Sequence, residues 1–311
     1  MGSNKRGDNM KFFNYLNDKN EAPIVHTNED GITLRDGLHI LENCKNVNLV
    51  GNAVVIESTD THYISVGNKA KIQVFNSGSI FQLGGKASIG IIKDGEITCV
   101  RDKAKVITIA AGRIDYLKNK GRVGTLINGT IKFMDNNSEL ATMNAGSIMF
   151  LRGKARICAM LSGTIVGLSN DSEISTMNNG KVHYVMDNSN IGTVNDGEIG
   201  EVCDNSEITT LNHGKINVIL GNSTVCTLID GTINEINGSA LILYNQKKPY
   251  GKRSFAMELN SQKNKLEEEA ENSKEENSKF IDKKKYSKTK IQITEIKNTK
   301  PENFVEIKNE D

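Results

Sequence analysis

The sequence predicts an all-β fold: a single-stranded β-solenoid (β-helix) of about twelve 17-residue coils, with a small N-terminal cap and a charged, partly helical or disordered C-terminal tail. Three observations carry this. Aliphatic residues recur every 17 positions from Val55 through Ile72, Ile89, Val106, Val123, Leu140, Ile157, Ile174, Ile191, Ile208 and Val225 to Ile242. A second file follows 8 residues after each member of the first, from Tyr63 and Ile80 to Ile216 and Ile233. Finally, all three prolines, Pro23, Pro249 and Pro301, lie outside the repeat, as a continuous strand ladder requires.

Each repeat divides into half-coils of 8 and 9 residues, such as residues 136–143 and 144–152. A small residue stands two before each file aliphatic, so alternation points both inward. A further apolar residue, Met143 or Leu151, falls three after it, and a corner must turn it inward again. Four residues before the first file the chain carries only Asn, Asp or Gly, from Asn68, Gly85 and Asp102 to Gly221 and Gly238. These residues tolerate positive φ. Every second half-coil from Gly78 to Gly231 has a glycine two before the aliphatic, the sign of a tight bend or close backbone approach. Coils spaced by about 4.8 Å give a rod of roughly 55 Å with minimal loops.

Three regions follow. Residues 1–37 form a cap, with an apolar patch at Phe12 to Leu16 and a strand-like Ile24-Val25; residues 38–246 form the solenoid. Residues 247–311 carry 16 Lys/Arg and 13 Asp/Glu, too charged to hold a core. Within this tail Met257 to Glu276 reads as a polar helix and Lys290 to Thr294 as a short strand.

Net charge is +1, so no bulk polyelectrolyte argument applies. The five cysteines have neither CxxC nor CxxH spacing, which disfavours a zinc site and a disulfide framework. No apolar run reaches a membrane span, the N-terminus lacks a secretion signal's apolar core, and Arg6 stands where a myristoylation start wants Ser or Thr. The expected setting is the cytoplasm or a phage particle.

Residues 17 apart stack into files, so function is sought in files. The clearest is basic: Lys69, Lys86, Lys103, Lys120 and Lys154, with Lys71, Lys105, Arg122 and Arg156 two residues further on. Like charges about 4.8 Å apart repel by on the order of 1 kcal/mol per pair in water. The stripe is therefore a candidate site for a linear polyanion such as nucleic acid or an acidic glycan; lysines that only block strand pairing and keep the surface soluble are the plainer explanation. Charge is also polarised along the axis. Residues 69–132 hold 12 basic and 4 acidic residues, and residues 133–240 hold 5 and 12, which favours head-to-tail or antiparallel association.

A threonine file, Thr108, Thr125, Thr142, Thr176, Thr193, Thr210 and Thr227, runs beside mostly small residues and forms a flat interface candidate. The aromatic run Tyr116, Phe133, Phe150 and Tyr184 is a second interface candidate, or a stacking surface for sugars or bases. No catalytic constellation emerges. The pairs Asp94/Glu96 and Asp196/Glu198 lie in turns six coils apart, and the histidines share no file. No phosphate loop, calcium nonapeptide, metal or cofactor site is read.

Units such as Gly221-Asn222-Ser223-Thr224-Val225 followed by Ile229-Asp230-Gly231-Thr232-Ile233 resemble the short β-solenoid repeats of uncharacterised bacterial and phage proteins. More distantly, they resemble bactofilins, the polymer-forming solenoids of bacterial cytoskeletons. The resemblance covers residues 38–246 and implies a structural or binding rod that self-associates. The expectation is thus a non-catalytic rod, a homo-oligomer or one with a protein partner, with polyanion binding as the alternative and a polysaccharide-acting enzyme as the least favoured reading.

Overall fold

The structure is a computed structural model that describes residues 22–246. These residues form 27 strands in two parallel sheets, odd-numbered strands in one and even-numbered in the other, with successive coils as neighbours throughout. The chain is an all-β parallel solenoid of about 13 turns, with no helix among the described residues. The apolar patch at Phe12 to Leu16 and the expected helix and strand of the tail lie outside them.

A typical coil contains β11 (Lys105–Ile109) and β12 (Arg113–Leu117), which pair with β13 (Arg122–Leu126) and β14 (Thr130–Met134) of the next. The register joins Val106 to Val123 and Ile114 to Ile131, so residues 17 apart lie over one another. In both strands the second and fifth residues are buried and the third and fourth face outward. The third residue drops out of the pairing, which places the expected corner inside the strand. Four aliphatic files then fill the interior, here Val106, Ile109, Ile114 and Leu117, all fully buried. Each such side chain contributes about 1.5–3 kcal/mol.

The small residue two before the first aliphatic is also inside, as at Ala104, Ala155 and Ser172. Its counterpart in the second half-coil is glycine because the space is taken. A Cβ on Gly163 would lie 2.7 Å from the carbonyl oxygen of Gly146 below and 2.6 Å from the Met143 methyl. The fifth-position side chain of the lower coil thus fills the room that a larger residue would need.

The Asn/Asp/Gly position adopts positive φ in each coil, for example Asn68 at 57° and Asp204 at 62°. Aspartate there does more than turn the chain. Asp187 Oδ2 accepts from the Asn170 amide at 3.2 Å, and Asp204 Oδ2 accepts from the Asp187 amide at 3.2 Å. Asparagines form ladders of their own, as in Asn178–Asn195–Asn212 with bonds of 2.7 and 2.6 Å. Lys120 departs from the pattern, since it follows Asn119 yet also takes positive φ, 69°. A long L side chain there costs about 1–2 kcal/mol.

Stacking begins earlier than the expected boundary at residue 38. Strand β1 (Ile24–Thr27) already pairs with β3 (Leu38–Glu42), which pairs in turn with β5 (Val54–Thr59). A bulge between His39 and Ile40 shortens the spacing, so this coil escapes the 17-residue period. His39 sits opposite Val55, in the aliphatic file, and is 4% exposed. The ring is satisfied by donating Nε2–H to the Asp36 carbonyl at 2.8 Å and accepting at Nδ1 from His26 at 3.1 Å. His26 in turn meets Glu29 at 3.0 Å. Burial, and to a lesser degree His26, holds His39 below its ordinary value of 6.5, against the opposing effect of the Asp36 carbonyl.

Two stability tests follow. Gly163→Ala is expected to lower urea stability by about 2–3 kcal/mol, while Lys120→Asn should raise it by about 0.5–1 kcal/mol. Because the folded pKa of His39 is depressed, the unfolded chain binds the proton first. The first coil should therefore lose amide protection as pH falls below about 6.5, and His39→Leu should remove that dependence in hydrogen exchange.

Candidate polyanion-binding edge

The turn that leads from the even-numbered sheet into the odd-numbered one forms a continuous edge. In four consecutive coils its windows are residues 67–71, 84–88, 101–105 and 118–122. Together they hold Lys69, Lys71, Lys86, Arg101, Lys103, Lys105, Lys118, Lys120 and Arg122 against the single acid Asp102. The remaining charges of residues 67–132 are Lys93, Arg113 and Lys132 against Asp94, Glu96 and Asp115, which cancel. The whole positive excess of this zone therefore lies on one edge. Its position follows from the turn: β-turns closed by bonds such as Ala87 N–H to Gly84 O, 3.2 Å, and Gly121 N–H to Lys118 O, 3.0 Å, push the intervening lysine into solvent.

Lys69, Lys86, Lys103, Lys105 and Lys120 are exposed and have no carboxylate partner among the described residues. The outer members of the stripe are different. Arg122 pairs with Glu139 at 3.4 Å and Arg156 with Glu173 at 3.2 Å, so that file alternates in sign above Lys105. Arg156 also donates to Ser175 Oγ at 2.9 Å. Lys154 is exposed but stands apart, beyond Asn137 and between Arg152 and Arg156. The compact site is thus the row from Lys69 to Lys120. Arg101 and Lys118 join it from the first residue of the turn, a position that counting only the lysine file overlooks.

The aromatic run borders this edge. Tyr116 stacks on Phe133 at 5.3 Å between centroids and 18° between planes, and Phe133 stacks on Phe150 at 6.2 Å and 9°. Lys118 Nζ stands 5.7 Å from the Tyr116 centroid, and the Arg152 guanidinium 4.5 Å from that of Phe133. Arg152 is held by both oxygens of Asp135, at 2.9 and 3.2 Å. Tyr184 is one coil removed from the stack because Gly167 intervenes.

The threonine file is formed as expected, from Thr108 through Thr125 and Thr142, then Thr176, Thr193, Thr210 and Thr227, half-buried at the fourth strand position. Beside it lie Gly124, Ala141, Cys158, Ser175 and Cys226. The thiols there are free; that of Cys226, and that of Cys203 in the turn after Val202, are pushed up to about 11 and about 12, chiefly by burial and then by neighbouring carboxylates.

The glutamates of the two turn pairs are engaged in structure. Glu96 binds Arg113 at 2.9 Å; Glu198 accepts from Asn217 at 2.9 Å and from Lys181 at 3.3 Å. These bonds, the Asn217 one foremost, hold Glu198 below the usual carboxylate range, the opposite of what a general acid needs. Among the described residues no group of three His, Cys, Asp or Glu is placed to hold a metal, and no helix is long and apolar enough to cross a membrane. Comparison with protein-family models, curated proteins and solved structures gives no match.

With their thiols so protonated, Cys203 and Cys226 should react with iodoacetamide at pH 8 at least tenfold more slowly than an unhindered cysteine, which peptide mass spectrometry can measure.

Proposed function

We propose that this protein is a non-catalytic binding rod that holds a linear polyanion along the edge running from Lys69 to Lys120. The supporting observation is the segregation of nine Lys/Arg against one Asp on that edge over four coils. Neighbouring like charges there cost on the order of 1 kcal/mol per pair in water. The same turn positions in later coils are filled by Asn137, Asp171, Asn188 and Asn205, so the fold does not demand lysine. Blocking of strand pairing does not demand it either, because neighbours pair on both sides of these coils and, among the described residues, free strand edges occur only at the two ends. A phosphate or sulfate chain lying across the row would relieve the repulsion and release its counterions.

Self-association is a second reading, favoured by the sign of charge along the axis. Residues 22–66 carry two basic and six acidic residues, so among the described residues both ends of the rod are acidic and the middle is basic. This favours lateral, staggered pairing over the head-to-tail contact that, with antiparallel association, the two-zone charge pattern suggested.

The protein should be retained on immobilised heparin at low salt and released as salt rises. Lys86→Glu/Lys103→Glu/Lys120→Glu should weaken heparin binding more than tenfold at fixed ionic strength, whereas Lys181→Glu, away from the edge, should not. Absence of binding at low salt would sink the proposal. For self-association, light scattering should show a larger species at low salt that dissociates at high salt.

A further inference from the structure

We infer that the odd-numbered sheet is the face on which two copies of this chain pair, antiparallel, about a two-fold axis at β17 (Arg156–Met160). This rests on the self-association reading and names its surface; it stands whether or not a polyanion binds. The outward positions of the sheet are the third and fourth residues of each strand. From β7 (Lys71–Phe75) to β27 (Leu241–Asn245) none of them is charged, whereas the even-numbered sheet carries Asp115, Lys132, Glu201 and Glu235 at the same positions. Charge resumes below β7, at Glu57. The uncharged stretch is eleven strands long, and β17 is its middle strand.

Around that strand the face reads alike in both directions. Two coils away stand Gly124-Thr125 and Gly192-Thr193; one coil away stand Ala141-Thr142 and Ser175-Thr176. Between Thr108 and Thr227 the threonine file is broken once, at Ala159. A two-fold axis along the strands inverts the rod but keeps each position along the strand, so every coil meets its mirror coil, third residue against third. Only the coil of β17 meets itself. There the small Cys158 and Ala159 let the faces close, and Leu161, 41% exposed where the ladder continues past the strand, meets its own counterpart. At the far ends Leu243 and Tyr244, 47% and 46% exposed, come over Gln73 and Val74. Charge selects the antiparallel sense. The inversion sets residues 69–132, with 12 basic and 4 acidic residues, beside residues 180–243, with 2 basic and 8 acidic. At the border of the face, the first strand position, Lys105 comes opposite Glu207. Neither has an oppositely charged partner among the described residues, and Glu207 accepts from Thr209 Oγ1 at 3.0 Å. Parallel copies would set basic zone beside basic zone. The turn lysines Lys86, Lys103 and Lys120 belong to no strand of this face. Eleven five-residue strands cover about 50 Å by 17 Å, or roughly 1,700 Å² over both copies, within the range of about 1,200–2,000 Å² for a stable interface.

The test is sedimentation equilibrium of the full chain, with crosslinking by a short bismaleimide. The chain should sediment as a dimer at low salt, and Leu161→Lys should raise the dimer dissociation constant at least tenfold. Lysine already stands at the matching position as Lys93, so the fold should tolerate the change; circular dichroism checks it. Lys105→Glu and Glu207→Lys should each weaken the dimer, twice over by symmetry, and the two together should restore it. Crosslinked dimers should vanish with Cys158→Ser and persist with Cys226→Ser, because Cys226 faces Gly90 across the axis. Loss of the crosslink with Cys226→Ser would show parallel pairing and overturn the antiparallel arrangement. If a dimer forms but neither Leu161→Lys nor Cys158→Ser affects it, self-association stands on another surface and this inference falls. A monomer at every salt concentration overturns self-association itself, while heparin retention reports on the basic edge separately.

Discussion

The structure depends on one constraint: each coil's backbone must hydrogen-bond in register to the coil 17 residues away. Thr130 N–H donates to Gly112 O at 3.0 Å, and Ser147 N–H to Gly129 O at 3.0 Å, and so on up the rod. Given that ladder, every side chain meets its own counterpart one step along. Inside, isoleucine on isoleucine and methionine on methionine pack without difficulty. At the second bend the stacked backbone leaves no room for a Cβ, and glycine follows. Outside, an identical residue repeated in a file helps or harms according to its chemistry: asparagine can donate to the next asparagine, but lysine can only repel the next lysine.

That constraint is what made the fold readable. The positions of Leu140, Ile157 and Ile174 were evident from spacing, as was positive φ at Asn68 and Asp204, because those features repeat. What did not repeat was hidden. The coil from Ile24 to Leu34 is joined through a bulge at His39, and a histidine held by His26 and Asp36 replaces the aliphatic residue. Nothing in the periodicity reveals a ring that is buried because two polar partners satisfy it. Lys120 is similar: its positive φ comes from the turn around Asn119, a geometry shared with Asn137 and Asp171 but unexpected for lysine.

The candidate site was legible in part. The lysine file was visible, but its true extent required neighbours in the file to be set against one another. Arg122 and Arg156 continue the stripe by spacing alone, but Glu139 and Glu173 stand in the same ladder, each within ion-pair distance. The alternation was present in the 17-residue spacing all along. Arg101 and Lys118 escape the lysine file for a different reason: they stand at the first residue of the turn, and only the turn geometry brings them onto the same edge.

The contrast between these two basic groups carries the functional argument. Above Lys105 the chain places a carboxylate between successive arginines, a solution that neutralises repulsion at no cost to the ladder. Between Lys69 and Lys120 the same solution was equally open, since Asp, Glu and Asn occupy equivalent positions elsewhere in the rod. At the top of that row the aromatic file also changes, from Tyr116 to Cys99, and Lys118 stands over the Tyr116 ring. A repeat that needed only to fold would gain from charge alternation here as it does one coil further along the edge; a surface that must receive a polyanion would not.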